Sequence, residues 1–162
     1  MYMIFIHMIK HTKTSKNIEN KEKNRNIPAN TYSLGLQGQD FVELKFINVG
    51  YKIFQKNFKK IGLEIDLIVY KYIKEKNLLV IRIVEVKTRK KERLKVDLEE
   101  MGIKGKWRKV KSVMFDIPRN IKGVLGIDNC PHTISFDLAV VQVESKEIFV
   151  LNTYIKNVDL LL

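Results

Sequence analysis

Two runs rich in β-branched and aromatic residues, either side of the polar insert Lys74-Glu75-Lys76-Asn77, constrain this chain more than any other feature. Such residues favour extended backbone, and a short polar break between two such runs predicts a β-hairpin. Strand side chains alternate with a period of two, so the sequence declares its faces. Glu64, Asp66, Ile68 and Tyr70 share one face of the first strand, and Ile81, Ile83, Glu85 and Lys87 share one face of the second. The register that sets Tyr70 against Ile81 and Ile68 against Ile83 also sets Asp66 against Glu85 and Glu64 against Lys87. Apolar then meets apolar near the turn, and charge meets charge at the open end.

Directly opposed residues hold their Cβ atoms roughly 4.5–5.5 Å apart, where like charges destabilise a sheet. Two carboxylates that close raise each other's pKa unless a cation sits between them. A hard divalent ion resolves the conflict, and Mg²⁺ (or Mn²⁺) typically uses one or two carboxylates together with water and substrate phosphate. Asp66 and Glu85 are therefore candidate metal ligands, with Glu64 a further acidic candidate. Lys87, one pleat beyond Glu85, is suited to steady an attacking water or a phosphate oxygen. The pattern is that of a metal-dependent phosphodiesterase site; the alternative is a solvated hairpin end, and a one-residue slip in register would turn every side chain to the other face.

The spacing of Asp66, a long spacer and then Glu85-Val86-Lys87 resembles the PD-(D/E)XK nuclease motif. The fuller string, Asn57 and Gly62 followed by Glu64-Ile65-Asp66-Leu67-Ile68 and then by Val84-Glu85-Val86-Lys87-Thr88-Arg89, resembles the YraN family, which is related to Holliday-junction resolvases. The resemblance runs from about Leu34 to about Val143. It implies a restriction-endonuclease-like α/β fold, a mixed sheet flanked by helices in one domain. It also implies Mg²⁺-dependent cleavage of DNA, branched or damaged DNA being the expected substrate, and a homodimer, since resolvase-like relatives often act as dimers. The family carries a G-x-x-G-E motif on its first helix. Here the stretch is Gly35-Leu36-Gln37-Gly38-Gln39, so Gln39 stands where the glutamate is expected to reach the metal, and Glu43 lies one turn on as a substitute. Leu63 intervenes between Gly62 and Glu64, and Ser135 replaces the arginine of the family's R-F-D-V-V segment, within which Asp137 reads as structural. A family lysine near the start of a later helix corresponds to Lys104 or Lys106.

At 162 residues the chain suits one domain with a real core. Its net charge of +12 favours a polyanionic partner, nucleic acid or an anionic membrane surface. Cys130 is the only cysteine, which excludes an internal disulfide and a multi-cysteine zinc site and suits a cytoplasmic setting. The opening run MYMIFIHMI lacks a basic flank and a cleavage site, and is far shorter than the roughly 20 residues that span a bilayer. Residues 1–33 read as a disordered or loosely docked extension carrying +4 of the +12, and 34–162 as the folded domain. His7 and His11 have helical spacing but no third ligand nearby.

A helix is expected over Leu36–Val49, with Phe41, Leu44 and Ile47 toward the core and Gly50 as its cap. A strand should follow from Tyr51 to Asn57. Arg89 and Lys90 then open a charged loop at the mouth of the site, where they are candidates to contact phosphate. Ile103, Trp107, Val110 and Met114 predict an amphipathic helix ending before Pro118, with Trp107 in the core and Lys104, Lys106, Arg108, Lys109 and Lys111 on the other face, a basic face on which Lys104 and Lys106 are candidates to bind DNA phosphates. Residues 119–133 read as a loop, 134–141 as a strand, and Ile148–Leu151 as the last strand before a short C-terminal helix. Two functions fit: a Mg²⁺-dependent DNA endonuclease, and, favoured by Gln39, a non-catalytic DNA-binding protein that keeps the nuclease fold. A third, a peripheral membrane protein using the N-terminal run, is the weakest.

Overall fold

In the computed structural model, the residues described are 31–60, 62–90, 97–145 and 148–158. They form α1 (Thr31–Asn48), β1 (Lys52–Lys60), β2 (Leu63–Ile73), β3 (Leu78–Lys90), α2 (Ile103–Val110), α3 (Asp116–Leu125), β4 (His132–Ser145) and β5 (Ile148–Ile155). The five strands make one sheet in chain order. β1, β2 and β3 are antiparallel neighbours, β3 and β4 run parallel, and β5 returns antiparallel to β4. A parallel pair needs a long crossover, and α2 and α3 supply it. The result is the mixed sheet flanked by helices that the resemblance implies, in a single domain.

The hairpin forms in the expected register, with Tyr70 on Ile81 and Ile68 on Ile83. A 3₁₀ turn, Lys74–Lys76, joins the strands, and Asn77 closes it in the left-handed region, which asparagine tolerates better than most residues. Both faces of the sheet are covered. Ile65, Ile68, Ile81, Ile83, Phe136 and Leu138 pack toward α2 and α3, whose Ile103, Val110, Ile117 and Ile121 are buried against them. Trp107 joins this layer and stacks on Phe136 at 5.7 Å, as a core residue. The other face offers Leu67, Val69, Val84, Val86, Ala139 and Val141 to Val42 and Phe46 of α1.

Helix α1 is rotated from the expected orientation. Leu44 and Ile47 are 53% and 45% exposed, while Val42 and Phe46 are buried. The cause is Gly38, one turn before Val42. A Cβ there would lie 1.9 Å from Thr88 Oγ1, so α1 touches β3 along the line of Gly38, Val42 and Phe46. Gly50 does end the helix, with a positive φ and its N–H donating to Ile47 O.

Pro118 corrects the second helical expectation. It is the third residue of α3, where a missing N–H has no intrahelical carbonyl to lose, so it opens a helix rather than stopping one. Residues 119–125, expected as loop, are therefore helical, and α2 itself ends at Val110 before a 3₁₀ turn, Lys111–Val113. β3 runs on through Arg89 and Lys90, β4 extends both ways beyond 134–141, and β5 continues to Ile155. α1 starts at Thr31, just before the expected boundary at Leu34. The N-terminal extension up to residue 30, the middle of the charged loop (91–96) and most of the C-terminal helix expected beyond β5 lie outside the described residues.

Gly38→Ala should lower the melting temperature, by roughly 1–3 kcal/mol of overpacking. Adding Thr88→Ala should recover part of the loss. Unchanged melting in the single variant would show that the Gly38–Thr88 approach does not hold α1.

Candidate active site

The β2–β3 ladder stops at Leu67–Val84, one pair short of Asp66 and Glu85. Beyond it the Asp66 carboxylate takes over from the backbone: Oδ2 accepts the N–H of Val86 at 2.7 Å. A buried N–H must find an acceptor, and here a side chain provides it. The two-residue alternation also slips at this point. Leu63 and Ile65 pack in the same layer as Ile68 and Tyr70, while Leu67 and Val69 pack in the other.

Both carboxylates lie inside the protein, Asp66 at 8% and Glu85 at 2% exposure. Helix α1, brought close by Gly38, lends Asp66 a second partner: Gln39 Nε2 donates to Oδ1 at 2.9 Å. The remaining oxygen of that amide, Oε1, is buried without a hydrogen-bond partner. Glu85 is held by two ammonium groups. Lys87 pairs with Oε1 at 2.7 Å, and Lys106, from α2, pairs with Oε2. Two helices from opposite faces of the sheet and two of its strands thus converge on four carboxylate oxygens. Among the described residues, no three His, Cys, Asp or Glu side chains cluster as a metal site, so any ion here would lean on Gln39 as well as the two acids.

The sequence model of the "Uncharacterised protein family UPF0102", the family that includes YraN, matches residues 40–117. The match, which covers just under half of the chain, supports membership of this family. The matched span contains Asp66, Glu85, Lys87 and Lys106, and Gln39 stands one residue before it. No curated protein matched the chain.

The other candidates from the sequence are dispersed around this centre. Glu64 does not oppose Lys87; it pairs with Lys59 of β1 in the ladder and through a 3.5 Å ion pair, because β2 stays with β1 after leaving β3. Glu43 pairs with Lys56, which also bonds Asp40 at 2.9 Å, so its charge is spent on the β1 side. Arg89 reaches Glu100 at 4.0 Å, and Lys104 is exposed on α2. Lys106, which the sequence reads as a lysine of the basic face, reaches into this centre to pair with Glu85. Its neighbours Ile103, Trp107 and Val110 form the packed stripe of α2, and a residue flanking such a stripe can turn its head inward.

Asp137 is fully buried and has a separate set of partners. Tyr154 Oη donates to it at 2.6 Å, the N–H of Asn157 at 3.0 Å, and Arg82 lies 3.6 Å away. Burial and the adjacent carboxylate push the Tyr154 hydroxyl far above its ordinary range. Arg82 also donates to Ser135, its partner across the β3–β4 ladder, at 2.7 Å. Asp137 is structural, as the sequence suggests.

Burial, and then the negative charge of Glu85, push the Asp66 carboxyl up from 3.8 to about 6; the Val86 N–H and Lys106 pull the other way. The folded protein therefore holds a proton on Asp66 more tightly than the unfolded chain does. Stability should fall as pH rises from about 4 to about 6, and the full cost, on the order of 3 kcal/mol, persists above that window. Asp66→Asn keeps an oxygen for Val86 N–H, and the Gln39 amide can turn to match it. Denaturant unfolding at several pH values should show the variant gaining on the wild type across this window, and parallel curves would refute the assignment.

Proposed function

We propose that this protein is a Mg²⁺- or Mn²⁺-dependent DNA endonuclease of the PD-(D/E)XK type, acting on branched or damaged DNA. The observation that carries the reading is the convergence of Asp66 and Glu85, with Lys87 beside them, where the β2–β3 ladder opens. The donor set suits a hard cation: two carboxylates and the unpartnered amide oxygen of Gln39. Turned over, that amide would set its oxygen toward Asp66, an arrangement a cation between them would favour. A divalent ion held by these groups would supply Lewis-acid polarisation of the scissile phosphate. Lys87 offsets charge developing on the phosphate oxygens and orients the attacking water. Arg89 and Lys104 contact the DNA backbone on either side. Lys106 has to release Glu85 before a cation can take its place. The family, the fold and the net charge of +12 all support a nucleic-acid substrate.

A second reading has an observation of its own. Lys87 and Lys106 already match the charges of the two carboxylates, and Gln39 adds none. A protein so balanced could bind DNA through its basic surface without a metal and without cleavage, with affinity falling steeply as salt rises.

Titration of Mn²⁺ into the protein, alone and with a DNA duplex or four-way junction, separates the two. The nuclease reading expects saturable binding that Asp66→Asn removes, and cleavage lost in Asp66→Asn and Glu85→Gln with DNA binding retained. Lys106→Met, which keeps the aliphatic stem but not the competing charge, should tighten Mn²⁺ by roughly tenfold, about 1.4 kcal/mol. Binding of DNA with no site-specific Mn²⁺ uptake under any of these conditions would favour the non-catalytic binder.

A further inference from the structure

From Ile103 to Leu125 the chain is helical almost throughout: Val110, Lys111, Met114 and Phe115, which link α2, the 3₁₀ turn and α3, all have right-handed helical dihedrals. One side of this stretch is buried in the core. The other carries Lys104, Arg108, Lys111, Phe115, Arg119 and Lys122, of which all but Lys122 are exposed. Asp116 is the only acidic residue between Ile103 and Leu125, and Lys60 of β1 lies 3.5 Å from its carboxylate. A basic ridge thus leads away from the candidate active site, starting beside the lysine that reaches Glu85.

Phe115 stands near its middle, 85% exposed, the most exposed large hydrophobic side chain among the described residues. The fold does nothing to explain it. Phe115 occupies the N-cap position of α3 and makes no side-chain cap bond, where Ser, Thr, Asp or Asn is the usual stabilising choice. Its ring stays in water although burying it would stabilise the fold. An aromatic ring held out among cations, with the one neighbouring carboxylate, Asp116, lying 3.5 Å from Lys60, has the features of a surface that stacks bases between phosphate contacts.

We infer that Phe115 is a stacking platform for an unpaired nucleobase, and that the flanking Lys111 and Arg119 hold the phosphates on either side. The inference rests on the reading of the chain as a DNA-acting protein, and it names the substrate class: DNA in which unstacked bases adjoin a duplex, as at a branch point or a single-stranded gap. In continuous duplex every base is already stacked on its neighbours, and the ring has nothing to receive. Phe115 lies nine residues beyond Lys106, past the 3₁₀ turn that follows α2, so the unpaired base sits on the ridge away from the phosphate that Asp66 and Glu85 address.

Fluorescence anisotropy of the full chain tests this, with EDTA present so that the metal plays no part. The probes are a duplex, a single strand and a duplex carrying a short single-stranded gap, all of the same sequence. The wild type should prefer the two probes with unpaired bases. Phe115→Ala should cost about tenfold on those probes, equivalent to about 1.4 kcal/mol, and leave duplex affinity within about twofold. Phe115→Trp should retain the preference. Lys111→Ala with Arg119→Ala should weaken all three probes alike and reduce the salt slope by about 2. Each side chain is exposed, so melting temperatures should stay near the wild-type value. An equal loss on all probes in Phe115→Ala, or no loss at all, overturns the stacking role while leaving the DNA reading standing. No binding of any probe by the wild type overturns both, and a Phe115→Ala effect confined to self-association would make the ring a protein contact instead.

Discussion

Four carboxylate oxygens inside a β-sheet are the condition that the surrounding structure has to meet. Taking each of these charges out of water costs several kcal/mol unless partners compensate. Every nearby element answers to that requirement. β2 leaves β3 at Asp66, so that a side chain instead of a carbonyl receives Val86 N–H. Gly38 gives up a side chain so that α1 can bring Gln39 within 2.9 Å of Asp66. α2 packs Trp107 into the core, and its neighbour Lys106 turns toward Glu85. What remains uncompensated shows as the raised Asp66 pKa.

The hairpin and its register were legible because turn, strand and apolar pairing agree about the same alignment. Extrapolating one pair further worked for Asp66 and Glu85, which do approach, and failed for Glu64 and Lys87. The failure has a local cause. Lys56 pairs with Leu67 and Phe58 with Ile65, which leaves Asn57 opposite Asp66, with a left-handed φ of 48°. Strict alternation cannot continue through such a point. Asn57 is itself a signal, since asparagine is among the few residues that accept this conformation. The rotation of α1 was hidden for another reason: apolar spacing counts Leu44 and Ile47 as core, while the contact that orients the helix involves a residue with no side chain. Pro118 misled because the same residue stops one helix and starts another, and only the packing of Ile117 and Ile121 distinguishes the two.

The departure at Ser135 has a structural answer. The family pattern places an arginine there, two residues before the buried aspartate. In this chain Arg82 stands opposite Ser135 across the β3–β4 ladder, bonds its hydroxyl, and lies 3.6 Å from Asp137. The guanidinium beside Asp137 is thus supplied from the neighbouring strand. At the other centre Gln39 stands where the resemblance places a glutamate, and Lys106 from α2 pairs with the Glu85 carboxylate.

The two buried acidic centres differ in what holds them, and the difference separates structure from chemistry. The partners of Asp137 are a tyrosine hydroxyl, a backbone N–H and a planar guanidinium, all anchored in or beside β3 and β5. None can leave without unfolding part of the sheet. Lys87 and Lys106 hold Glu85 by the ends of flexible four-carbon stems, and Gln39 holds Asp66 by an amide that can turn about its last bond. These partners can be exchanged one at a time for a cation, a water or a phosphate oxygen while the backbone stays in place. Val86 N–H remains as the fixed anchor that keeps Asp66 aimed. A carboxylate pair with one rigid bond and three replaceable ones can take a ligand, whereas a fully committed carboxylate can only brace the fold.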